Sequence, residues 1–145
     1  MPYRNPLETM PSLLKLMRGF WEIRGVPEER IQAGFARLIE QSLHSYTYPA
    51  AVLERHPEIP ATEIDYRELI ARPKDVVERV YRDFGYTIDP SFQRILDEAQ
   101  AHTGTHETKH RYSLQEFGLD EGEIREELAT LFARFDWPSV DAAGR

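Results

Sequence analysis

At 145 residues the chain is one domain long, and its 41% hydrophobic and 30% charged residues are the balance of a water-exposed globular protein with a core. A net charge of −7 argues against general nucleic-acid binding, which needs a basic surface, but leaves room for a local basic pocket for one nucleotide. With no cysteine there is no disulfide framework and no cysteine-ligated metal, no apolar run has the length of a transmembrane segment, and the first residues lack a signal-peptide core; a cytoplasmic location is expected.

The first helix is signalled by Arg4-Asn5-Pro6-Leu7-Glu8, with Asn5 as the cap, Pro6 at the first helical position and Glu8 in the first turn. Leu7, Met10, Leu14, Met17 and Trp21 form its apolar stripe, and Pro11 is expected to kink it and present Ser12. A second helix starts at Pro27, runs through Ile31, Phe35, Leu38 and Ile39, and should break or bend at Pro49. Thr62, Ile64 and Tyr66 alternate with Glu63 and Asp65, which predicts a strand. Val76, Val77, Val80, Tyr81 and Phe84 mark a helix stopped by Gly85, and Asp89-Pro90 opens another with Phe92, Ile95, Leu96 and Ala99 on its apolar face. Ser113 and Glu116 have capping-box spacing, as do Asp120 and Glu123 ahead of a last helix through Ile124, Leu128, Leu131, Phe132 and Phe135. Residues 138–145 are expected to form a loose tail.

This reading yields one clear strand, and one strand cannot pair its own backbone N–H and C=O groups. The chain is therefore expected to rearrange, to pair with a second copy as a homo-oligomer, or to be a portion of a larger sheet.

Two places suit an oxyanion. Arg4 brings a planar donor fork to a helix start, with the Ser12 hydroxyl nearby in sequence. Lys109 and Arg111 fall in a loop after Thr103-Gly104-Thr105, where a point charge and a bidentate donor sit close together. The plainer alternatives are a capped helix with a surface arginine and a solvated basic loop. His102, His106 and His110 recur every four residues around Glu107, but Gly104 and the threonines interrupt any helix that would align them as metal ligands, so no metal site is assigned. No serine lies in a nucleophile-elbow context.

Three stretches taken together carry a resemblance. The first is Arg4-Asn5-Pro6 with Ser12 eight residues on; the second is Tyr66, Leu69 and Pro73 in a Tyr-x-x-Leu-x-x-x-Pro pattern; the third is Lys109-His110-Arg111-Tyr112-Ser113-Leu114 followed by Phe117-Gly118-Leu119. In order and wording they resemble the C-terminal half of bacterial-type sulfotransferases that use 3′-phosphoadenosine 5′-phosphosulfate (PAPS), over residues 1–137. Asn5 stands where that family has an aspartate. The resemblance implies an α/β fold with a P-loop-like parallel sheet, of which this chain would be a helix-rich C-terminal portion. It implies nucleotide contacts from Arg4, Ser12, Tyr66, Lys109 and Arg111, with Tyr66 at the strand end where such folds bind nucleotides.

The family's glycine-, serine- and threonine-rich phosphosulfate loop and its catalytic base lie ahead of the arginine turn, and no catalytic residue is assigned here. Sulfuryl transfer to a hydroxyl or amine acceptor is the implied family reaction, with PAPS as donor and no metal; the chain is expected to be a truncated form, inactive alone. The acceptor is not legible. The competing expectation is a non-enzymatic helical interaction module, or a remnant that needs a partner; nucleotide binding separates the two.

Overall fold

The structure, a computed structural model, describes residues 1–103 and 113–139. It is helix-rich, with one small parallel sheet of two strands among the described residues. These residues fall into two compact units, Met1–Arg4 with 56–103, and Asn5–Arg55 with 113–139.

In the first unit, β1 (Pro2–Tyr3) pairs in parallel with β2 (Ile64–Asp65), Pro2 opposite Ile64 and Tyr3 opposite Asp65. The predicted strand thus has a partner within the same chain. A two-residue strand containing proline shows no alternation, so periodicity could not reveal it. The strand is also shorter than expected. Tyr66 is not its last residue but the first of α3 (Tyr66–Ala71), because the Asp65 carboxylate accepts the Arg67 N–H at 2.8 Å and caps a helix at once. α3 stops at Arg72, whose φ of −140° is the extended conformation imposed by the next residue, Pro73.

Pro73 begins α4 (Pro73–Asp83), which closes as predicted at Gly85. Gly85 has φ +70°; its N–H reaches the Arg82 carbonyl, and that of Tyr86 reaches the Tyr81 carbonyl. This double closure needs a left-handed residue, which glycine adopts without a Cβ penalty. α5 (Pro90–Ala101) is capped by Asp89, which accepts from Ser91 and Phe92 N–H. Of its predicted apolar face Leu96 is buried and Phe92 half-buried, but Ile95 is 57% exposed and Ala99 is also exposed.

In the second unit, α1 (Pro6–Ile23) and α2 (Glu28–Arg55) form a hairpin. Leu7, Met10 and Leu14 of the predicted stripe are buried, while Met17 and Trp21 are half-buried. The Trp21 indole lies against Gly34 of α2, where an added Cβ would stand 2.5 Å from the ring. α1 runs unbroken through Pro11, and α2 runs through Pro49 to Arg55 rather than ending there. A proline removes one N–H from the ladder, and in a helix of 28 residues the flanking turns carry the chain past it.

The Leu114–Leu119 stretch folds as a single 3₁₀ turn, Gln115–Phe117, closed by Gly118 at φ +67°. Leu114, Phe117 and Leu119 are all buried, and Phe117 meets Phe35 edge-on at 5.6 Å. Ser113 bonds the Gln115 side chain rather than capping through Glu116. The last helix divides at Leu128 into α6 (Glu121–Glu127), capped by Asp120, and α7 (Ala129–Phe135). Trp137 stacks on Phe135 at 4.9 Å and meets Phe132 and Tyr46 edge-on. Pro138 and Ser139, placed by the sequence in a loose tail, are hydrogen-bonded to Asn5 and Glu121; residues 140–145 lie outside the described residues. No described helix is long and apolar enough to cross a membrane.

Candidate functional site

The parallel register brings two of the predicted residues together. Tyr3 is opposite Asp65, so the residues that follow, Arg4 and Tyr66, leave the sheet from the same, C-terminal end. There the Arg4 guanidinium lies over the Tyr66 ring, 5.2 Å from its centroid. Both side chains are half-buried. A guanidinium on an aromatic face keeps its full charge and contributes about 0.5–1 kcal/mol at a partly solvated position. The stack also orients the donor fork.

Charged groups surround this end of the sheet. Asp65 caps α3 and holds Arg67 through its side chain, Nη2 to Oδ2 at 2.6 Å. One turn further on, Glu68 takes two hydrogen bonds from Arg79 of α4, each 2.8 Å. Those bonds hold the Glu68 carboxyl below the usual carboxylate range, and Glu68 in turn raises the Arg79 guanidinium. The Asp65–Arg67 pair is a neighbour of the candidate site that sequence reasoning did not assign. Its signal was legible, since an aspartate two residues before an arginine at a helix start is the pattern of a cap with a returning side chain.

The remaining predicted residues are not brought to this pair by any described contact. Ser12 is half-buried on α1, in the other unit. Lys109 and Arg111 lie outside the described residues, as do His106, Glu107 and His110. His102 ends α5, with its Nδ1 2.7 Å from the Glu98 carbonyl oxygen. Among the described residues no group of three or more histidine or acidic side chains is placed to hold a metal ion. Leu69 is half-buried in α3 and Pro73 opens α4, so these two parts of the Tyr-x-x-Leu-x-x-x-Pro pattern act in helix packing and helix initiation.

Chemically, the arrangement offers an oriented cation and an aromatic face at the C-terminal end of parallel strands. Compared with protein-family models, with curated proteins and with solved structures, the chain gives no match in any of the three.

Proposed function

We propose that this chain is a sulfotransferase-like domain that binds the 3′-phosphoadenosine side of PAPS, with Arg4 as the principal phosphate ligand and Tyr66 beside it. Ser12, Lys109 and Arg111 are the further nucleotide contacts of this reading. The family reaction would be sulfuryl transfer from PAPS to a hydroxyl or amine, with the protein's cations stabilising the charge on the group in transfer. The observation that supports it is the Arg4–Tyr66 stack at the C-terminal end of the β1–β2 pair. Two residues singled out from separate sequence motifs meet at the edge where α/β proteins take nucleotides. Calorimetry at low salt with adenosine 3′,5′-bisphosphate is the test. Arg4→Ala should weaken binding by about 1.5–3 kcal/mol, the usual worth of a hydrogen bond to a charged group. Heats equal to buffer dilution for both proteins would overturn the reading.

A second reading, a helical interaction module, has its own observation. Leu16, Phe20 and Ile23 lie on one face of α1 and are all exposed, Ile23 at 88%. Such a stripe is the usual mark of a surface that meets a partner helix. Under this reading no nucleotide binds, and Leu16→Glu alters association while Arg4→Ala does nothing.

A further inference from the structure

We propose that α1 pairs in antiparallel with α1 of a second copy of this chain, an inference that rests on the second reading above, names its partner and makes no use of the nucleotide. Leu16, Phe20 and Ile23 are 58%, 49% and 88% exposed. Residues four and seven apart share a helix face, so the three form one apolar ridge. No other helix among the described residues leaves more than one large apolar side chain exposed. The whole ridge belongs to a single compact unit.

The small residues beside the ridge indicate what fits it. Ser12, Leu16, Gly19 and Ile23 follow one another at spacings of four, three and four, the seam of a helix pair, and they alternate small and large. A Cβ added at Gly19 would meet nothing among the described residues within 4 Å, so the seam has open space there. In an antiparallel pair Leu16 faces Gly19 of the second copy, and Ile23 faces Ser12. Every large side chain then meets a small one. A parallel pair would set Leu16 on Leu16 and Gly19 on Gly19, crowding one layer and leaving a void in the next.

Charge selects the same orientation. Lys15 and Glu22 are seven residues apart on one flank of the seam, with side chains 53% and 54% exposed. Their contacts within the chain, Lys15 to Glu116 at 3.8 Å and Glu22 to Arg18 at 3.3 Å, are surface ion pairs of small worth. The antiparallel pair brings Lys15 opposite Glu22 of the second copy, and two-fold symmetry forms that contact twice. On the other flank Phe20 comes opposite the half-buried Leu13, and the Arg24 guanidinium, 6.0 Å from the Phe20 ring centroid, stays at the rim. Ser12 to Ile23 spans about 17 Å of helix, so the interface is small and the dimer weak.

Sedimentation equilibrium of the full chain, from micromolar to near-millimolar concentration, should show monomer and dimer with no larger species. Leu16→Glu should weaken the dimer by about a hundredfold, because it puts a charge into the seam of both copies. Lys15→Glu and Glu22→Lys should each weaken it about tenfold, and the two together should restore it to within about twofold, since the swap recreates both ion pairs. Circular dichroism checks that each variant is folded. The chain has no cysteine, so the orientation can be read by disulfide formation. Ser12→Cys and Ile23→Cys chains, mixed and oxidised, should give the crossed disulfide in excess of either self-disulfide. A chain that is monomeric at every concentration, a double swap as weak as the single ones, or self-disulfides in excess would overturn the antiparallel pairing and leave the second reading standing for another partner. A dimer unaffected by Leu16→Glu would overturn both, because association would then run through another surface.

Discussion

The two units of this chain are held together by different physics. The unit of Asn5–Arg55 with 113–139 buries a broad apolar core that includes Leu7, Met10, Leu14, Ile31, Phe35 and Leu128. The unit of Met1–Arg4 with 56–103 buries only Tyr3, Val76 and Leu96 among its described apolar residues. It relies instead on ion pairs and polar contacts: Glu68 with Arg79, Lys74 with Asp97, Asp65 with Arg67, and the Gln93 amide with Glu78. Apolar burial is nearly indifferent to salt and pH, whereas half-exposed ion pairs are weak and screened. The Arg4–Tyr66 stack belongs to the second kind of unit, the one from which local opening is drawn most easily.

Substitutions can break this contrast from either direction. The largest effect is expected in the apolar core: Leu7→Ala should cost about 3–5 kcal/mol in urea denaturation, because Leu7 is fully buried and leaves a cavity. Gly34→Ala should cost about 1–3 kcal/mol despite alanine's better helix propensity, since its Cβ would stand 2.5 Å from the Trp21 ring and the indole must move. A neutral or stabilising outcome would mean that α1 and α2 do not approach so closely. In the polar unit Glu68→Gln should cost only about 1 kcal/mol, as expected of a partly exposed ion pair, and less in high salt.

The pH dependence follows from the direction of the Glu68 shift. Arg79 holds the folded-state carboxyl below its unfolded value. The pair's contribution is therefore complete above the usual carboxylate range and disappears as pH falls through the depressed folded value. Glu68→Gln should flatten that part of the acid-unfolding curve.

A spectroscopic asymmetry sharpens the same comparison. The chain's 2 tryptophans, Trp21 and Trp137, both belong to the apolar unit. Their fluorescence reports that unit, while far-ultraviolet circular dichroism reports the helices of both. Raising salt or lowering pH should move the dichroism transition ahead of the fluorescence transition by a few degrees. Coincident transitions under all conditions would show that the two units unfold as one.

Legibility in the sequence follows the same division between local and non-local causes. Asn5, Asp89 and Asp120 are helix caps as their residue types and spacing indicate, and Gly85 ends α4, because capping depends on a few neighbouring residues. β1 was not legible, because a two-residue strand exists only through its pairing with a segment far along the chain. Alternation through Thr62, Ile64 and Tyr66 predicts a strand that reaches Tyr66, but the Asp65 cap is the stronger signal and starts α3 at that residue. Of the break or bend expected at Pro49, the break is absent, and Ile95, on the predicted apolar face of α5, is exposed. Amphipathic spacing says which face of a helix is apolar, but only the tertiary partners decide how much of that face is covered. Of the candidate site, Arg4 and Tyr66 were legible as residues; their contact required the register of the sheet.

Under the proposed function, Arg4 and Tyr66 together receive the nucleotide's phosphate-bearing side. The most direct measurement is a titration with adenosine 3′,5′-bisphosphate followed by nuclear magnetic resonance of the Arg4 Nε–Hε group and the Tyr66 ring. Both signals should shift along one saturating curve, and Arg4→Ala should remove the Tyr66 response. Saturation that leaves both signals unmoved, or no saturation at any accessible concentration, would contradict it.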